Sequence, residues 1–197
     1  MADGPTHRLG QGVNYDLLGV NQFAVLTVKL GMRDWDYLLD IGCGSLRGGR
    51  FAITYLAPGH YFGIEPHKDQ LEAAKREELG LDFIAKKKPV FSNDDNFTLS
   101  AFGRKFDYLM AQSIFSHTSP AQTQRCLQEA AKVMHRGSLF AATYIRGPES
   151  YTGTAWSDPG DAYRAEDLFE WVHDAGLRAE PLDWFHPRQK WILITLR

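Results

Sequence analysis

Two cysteines in 197 residues exclude a disulfide framework. Cys43 stands between two glycines and Cys126 lies on a predicted helix, and neither has metal-ligand company. No stretch approaches the ~18 apolar residues of a membrane span, and Met1-Ala2-Asp3-Gly4-Pro5 lacks the apolar core of a signal segment. The expectation is a reduced, cytoplasmic protein with no membrane partner. Charge of one sign is also missing. The formal net charge is −2, so nothing draws the whole chain toward nucleic acid. The one basic run, Lys86-Lys87-Lys88, reads as a solvated face before Pro89, and there are no repeats or low-complexity tracts. What is present, 44% hydrophobic and 13% aromatic residues, lets 197 residues bury one full core. A single domain over 1–197 follows.

The stretch that organises it is Leu38–Gly49, LLDIGCGSLRGG. Tyr37–Ile41 has the composition of a buried parallel strand. It stops at Gly42-Cys43-Gly44-Ser45, and a helical pattern follows over Ser45–Leu56. Strand, glycine turn and helix let a nucleotide-like ligand lie against bare backbone at a helix N-terminus. Asp40, at the strand end, can accept hydrogen bonds but would repel a phosphate, which disfavours a dinucleotide oxidoreductase. A second buried strand, Tyr61-Phe62-Gly63-Ile64-Glu65, ends in an acid placed to hold a ribose diol.

Before this core, residues 1–13 read as a mobile polar arm. Asp16–Leu30 is a helix with Leu17, Val20, Phe23, Leu26 and Leu30 inward and Gly31 as its C-terminal cap. Together, 1–34 form an arm and a small N-terminal helical cap, with Asn14 and Tyr15 as candidate lid residues. After the core come a helix over His67–Leu79, a short strand at Pro89-Val90-Phe91 and a strand at Phe106–Gln112. Ser119-Pro120-Ala121-Gln122 is a capping box opening a helix that buries Leu127, Ala130, Ala131 and Met134 and ends at Gly137. A strand follows at Ser138–Tyr144. Residues 145–164 are a long turn-rich insert holding Arg146, Glu149, Tyr151, Trp156, Asp158 and Asp161, and connections this long are usually functional. The chain closes with a helix at Ala165–Ala175 and strands at Arg178–Trp184 and Trp191–Leu196. Alternating strands and helices give an α/β, doubly wound parallel sheet. The two closing strands lack a helix between them, so one must be antiparallel.

The pair DIGCG and GIEP resembles motifs I and II of the class I S-adenosylmethionine (SAM) dependent methyltransferases. The resemblance continues through Phe106–Tyr144 and covers roughly residues 35–197. It departs at Leu46, where the family often has a third glycine, so the turn should widen before its helix. The resemblance implies a seven-stranded sheet of order 3-2-1-4-5-7-6 with strand 7 reversed, SAM as cofactor and S-adenosylhomocysteine as product. It carries cofactor contacts onto Asp40, Gly42, Cys43, Gly44, Glu65 and Pro66. Adenine recognition falls on Asp94 or Asp95 with Phe97 beside them, and Gln112 and Ser113 complete the set.

Methyl transfer is an in-line displacement at an activated carbon, so the protein must align the nucleophile and remove any proton on it. His117, after the fourth strand and one turn before a helix N-terminus, is the first candidate base. His186 is its rival, and Tyr144 is a third candidate catalytic residue. Tyr144, Tyr151, Trp156, Tyr163 and Trp184 offer rings for packing or for cation–π contact with a substrate or the sulfonium. Gln112 and Ser113 offer no carboxylates, so no metal is expected. The expected reaction is O-methylation of a small or carrier-borne acceptor. N-methylation of an amine or ring nitrogen, and a non-catalytic SAM-binding protein, are the alternatives. The expected oligomeric state is monomer or homodimer.

Overall fold

The computed structural model describes residues 14–156 and 160–197. The expected arm at 1–13 and Asp158 of the insert fall outside the described residues. The chain divides after Asp94 into two compact units.

The first unit opens with α1 (Tyr15–Ala24), continued by a wider π-helical turn at Val25–Lys29 and closed by Gly31 at φ 82°. Its inward face is the expected one at Leu26, which is buried, and in part at Phe23 and Leu30, which are half-buried, but not at its start. Leu17 and Val20 are 61% and 48% exposed, while Tyr15, Gly19, Val25 and Leu26 are buried. Gly19 explains the rotation. A Cβ there would lie 2.3 Å from the Arg47 carbonyl oxygen, so only the glycine face can approach that backbone.

Three short strands, β1 (Leu38–Ile41), β2 (Tyr61–Ile64) and β3 (Val90–Ser92), pair in parallel with β2 central. Between them run α2 (Gly49–Tyr55), α3 (Lys68–Ala74) with a π-helical turn at Lys75–Leu79, and α4 (Leu81–Lys87). The sequence reading missed α4, because its basic end looks like a solvated run. Lys86 and Lys87 occupy its last turn, where cations meet the helix's negative end. Lys87 also donates its Nζ to the Leu56 carbonyl at 2.5 Å, so that lysine is structural as well as solvated.

The second unit contains β4 (Phe106–Ala111), α5 (Pro120–Val133), β5 (Met134–Arg146), β6 (Ala162–Tyr163), α6 (Ala165–Asp174), β7 (Leu177–Leu182) and β8 (Lys190–Leu196). β4 and β5 are parallel, while β8 runs antiparallel to both β5 and β7. Ser119 caps α5 as expected, accepting from the Gln122 amide while Gln122 reaches back to the Ser119 amide. The helix ends at Val133 rather than Gly137, because Met134 already pairs with Phe106. Ser138 reinforces that junction by donating to the Phe106 carbonyl at 2.6 Å. A buried acid the pattern did not flag, Glu129, accepts from the Ser100 amide and hydroxyl and from Lys132, which together hold its carboxyl below the usual range despite burial.

Across the sheet the order is β3-β2-β1-β4-β5-β8-β7, with β6 beside β5. That is the expected order and the expected reversed strand, renumbered by the two-residue β6 inside the insert. β6 pairs in parallel with the extended end of β5, Ile145 against Ala162 and Arg146 against Tyr163.

Candidate active site

In the first unit, β1 delivers the chain into a turn that reverses hand three times. Gly42, Gly44 and Leu46 have φ of 71°, 53° and 58°. The Gly42 and Cys43 amides both donate to the Ile64 carbonyl, which fixes the turn against the end of β2. Leu46 pays the left-handed cost of ~1–2 kcal/mol that a glycine would avoid, and its fully buried side chain offsets that cost. Its conformation delays α2 to Gly49, four residues after the helix start expected from the pattern.

Glu65 is 6% exposed, and its carboxylate holds the turn from the other side. Oε2 accepts from the Gly44 amide at 3.0 Å and Oε1 from the His67 amide at 2.9 Å. Asn93 donates its side-chain amide to the Glu65 carbonyl at 2.7 Å. Gly63, one step earlier on β2, must be small: a Cβ there would meet Cys43 Sγ and the Phe91 ring at 2.9 Å. A Cβ on Gly44 would meet nothing nearer than 4.0 Å, so bare backbone faces open space beside the Glu65 carboxylate. These features fit an adenosyl ligand.

Asp40 accepts from the Tyr61 hydroxyl at 2.7 Å. Burial pushes its carboxyl up from 3.8 to about 6, against the opposing pull of Tyr61 and the Arg47 charge. The cap helix reaches the same turn. Tyr15, a candidate lid residue, is buried with its hydroxyl on the Ser45 carbonyl and Oγ, and Gln22 accepts from Arg47 Nε. Pro66 is exposed, and Asp94, half-buried, donates its amide to Ser92 Oγ.

The second unit holds the other candidates. Asp95 is exposed and accepts from the Asn96 side chain, and Phe97 stands at φ 53°. Gln112 and Ser113 follow β4, with Ser113 in a left-handed conformation at φ 61°. A polar network holds that residue. The Ser113 amide donates to Thr143 Oγ1 at 2.8 Å, and Gln189 Nε2 donates to Ser113 Oγ and Ser116 Oγ. Thr143 in turn donates to Gln189 Oε1. His186 joins through Gln112, 2.9 Å from its Nε2, while its Nδ1 accepts the Gln189 and Arg188 amides. Both ring nitrogens of His186 are therefore engaged within the protein. Thr143 and Gln189 were not singled out from the sequence; nothing local marks them.

His117 is half-buried and stacks on Trp156, with centroids 5.5 Å apart and planes 11° from parallel. Tyr144 is buried on β5, opposite Lys190, and burial raises its phenol. Tyr163 packs edge-on against Trp171 and donates to the Thr118 carbonyl, while the Asp161 amide donates to the Ser116 carbonyl at 2.5 Å. The end of the insert is thus stitched to the loop that carries His117.

A family model described as a methyltransferase domain matches residues 39–140, more than half of the chain. The chain belongs to that family. With its strand order, it is a class I SAM-dependent methyltransferase. Solved structures agree on the fold of this methyltransferase. Magnesium protoporphyrin IX methyltransferase from Synechocystis PCC 6803, with bound S-adenosylhomocysteine, is 13% identical over 97% of this chain and 90% of its own, with a TM-score of 0.68. The PH0226 protein from Pyrococcus horikoshii OT3 is 12% identical over 98% and 96%, at 0.71. A glycopeptide N-methyltransferase, MtfA, complexed with sinefungin, is 9% identical over 91% and 94%, at 0.69. Identities this low establish architecture alone. No curated protein sequence matches the methyltransferase.

Proposed function

We propose that this methyltransferase acts on a small or carrier-borne acceptor at oxygen, in the cytoplasm, without a metal and with His117 as base. The observation that carries the cofactor half is the Glu65 carboxylate, buried and held by the Gly44 and His67 amides beside bare glycine backbone. SAM supplies a methyl group already activated by a sulfonium. Glu65 takes the ribose hydroxyls, the Gly42–Gly44 turn receives the ligand against its backbone, and Asp94, Asp95 and Phe97 take the adenine. Gln112 and Ser113 close the cofactor set. On the acceptor side, His117 removes the hydroxyl proton. Its rival is less suited, because His186 has no ring nitrogen left to accept one. Equilibrium dialysis with SAM and S-adenosylhomocysteine, followed by product formation over a metabolite panel, tests the reading. Donor binding without product on any acceptor would leave a SAM-binding protein instead.

Asp40 makes donor affinity depend on pH. A carboxyl raised from 3.8 to about 6 favours the folded protein while protonated, so its stabilisation is complete below about 4. It is lost as pH rises through about 6. SAM carries net positive charge, so it favours ionised Asp40. Calorimetry from pH 5 to 8 should show affinity rising to a plateau above about pH 6, and Asp40→Asn should flatten the curve. A wild-type curve without that inflection would remove Asp40 from the donor's surroundings.

Among the described residues, no group of three or more His, Cys, Asp or Glu is placed to hold one ion. Activity should therefore survive exhaustive EDTA treatment. Activity lost to chelation and restored by magnesium would overturn the metal-free reading.

A further inference from the structure

Asp161 is 8% exposed, and its Oδ2 is wholly covered yet has no hydrogen-bond partner. A buried carboxylate oxygen without a donor costs several kcal/mol, so a stable fold keeps one only where something else supplies the donor. Its position is fixed by backbone. The Asp161 amide donates to the Ser116 carbonyl, and two residues on the Tyr163 hydroxyl donates to the Thr118 carbonyl. The carboxylate therefore sits against Ser116–Thr118, the loop that carries His117 after β4. Gly160, at φ 79°, sets the approach, since a Cβ there would lie 2.9 Å from the Ile145 side chain and 3.4 Å from the Ser116 carbonyl.

Two rings meet this loop, Trp156 at His117 and Tyr163 at Thr118. Trp156 stacks on His117, and burial raises the Tyr163 phenol, with the Asp161 charge adding to the rise. No arginine or lysine pairs with Asp161 among the described residues. A lone carboxylate held against the loop that carries His117 and its stacked indole matches an organic ammonium, which forms charge-assisted hydrogen bonds with an acid and is attracted by an aromatic ring. A neutral hydroxyl would use neither the charge nor the rings fully, and a carboxylate ligand would be repelled.

We propose that Asp161 is the recognition group for a cationic amine on the methyl acceptor. The acceptor class is then an amine-bearing compound, such as an amino alcohol or aminophenol, held by its ammonium while its hydroxyl is presented for transfer. This assignment rests on the methyltransferase reading above and narrows its substrate.

The test uses the full chain saturated with S-adenosylhomocysteine and three probes: benzylamine, benzyl alcohol and N-acetylbenzylamine. Calorimetry, or NMR shifts at the Gly160 and Asp161 amides, should show benzylamine binding at least tenfold tighter than the other two. Asp161→Asn should erase that preference while leaving benzyl alcohol and S-adenosylhomocysteine affinities unchanged. The wild-type comparison of benzylamine with its neutral acetyl derivative keeps the test valid should the variant fold poorly. Equal or absent binding of the three probes overturns the proposal, as does a preference that survives in Asp161→Asn. Failure of S-adenosylhomocysteine to bind in the first titration would instead overturn the methyltransferase reading itself.

Discussion

His117→Gln is expected to lower turnover by a factor on the order of 10²–10⁴, as removal of a general base does, with little change in SAM affinity. Glutamine preserves a hydrogen-bonding side chain but cannot take a proton. The backbone around position 117 should hold, since its amide donates to the Ile114 carbonyl and the Ser119–Gln122 box starts α5 two residues later. Stacking on Trp156 restricts the imidazole to one plane. The wild-type rate should rise with pH through a single ionisation and then level, and the variant should lose that limb. Near-normal turnover with the limb intact would make His117 a positioning residue only. His186 would inherit the role poorly, because its Nδ1 accepts two backbone amides. The remaining outcome is an acceptor that arrives already deprotonated.

The features that could be read from the sequence depend on a few neighbouring residues. The glycine turn, the acid ending β2, the capping box at Ser119 and the reversed last strand each follow from a short run of side chains, and each stands in the structure. The features that escaped depend on distant contacts. The start of α1 turns a different face inward because hydrophobic spacing favours Leu17 and Val20, whereas close approach to Arg47 selects Gly19. Thr143 and Gln189 look like ordinary strand and turn residues, yet Gln189 reaches Ser113 across 76 positions of sequence to hold a left-handed residue. Leu46 departs from the expected glycine but adopts a glycine's backbone, because its buried side chain offsets the strain. No local rule places the orphaned Asp161 oxygen either. Its burial arises only when β6 pairs with the end of β5.

Glu65→Ala is expected to weaken SAM binding at least tenfold. Two charge-assisted hydrogen bonds to the ribose, each worth roughly 1.5–3 kcal/mol, would be lost. The structure adds a second consequence. The same carboxylate accepts from the Gly44 and His67 amides, so alanine also leaves those donors without their partner and loosens the turn. Stability should fall by about 1–3 kcal/mol, the usual cost of an unsatisfied buried donor. Glu65→Gln separates the two effects. Its side-chain oxygen can still accept from one amide, so melting temperature should largely recover, while the lost negative charge still weakens the hold on the ribose. The expected order of SAM affinity is wild type, then Gln, then Ala, measured by calorimetry at a pH where Asp40 is ionised. Should Glu65→Gln melt like the wild type and bind SAM as well, the carboxylate serves the turn alone. The ribose contacts would then have to come from another residue.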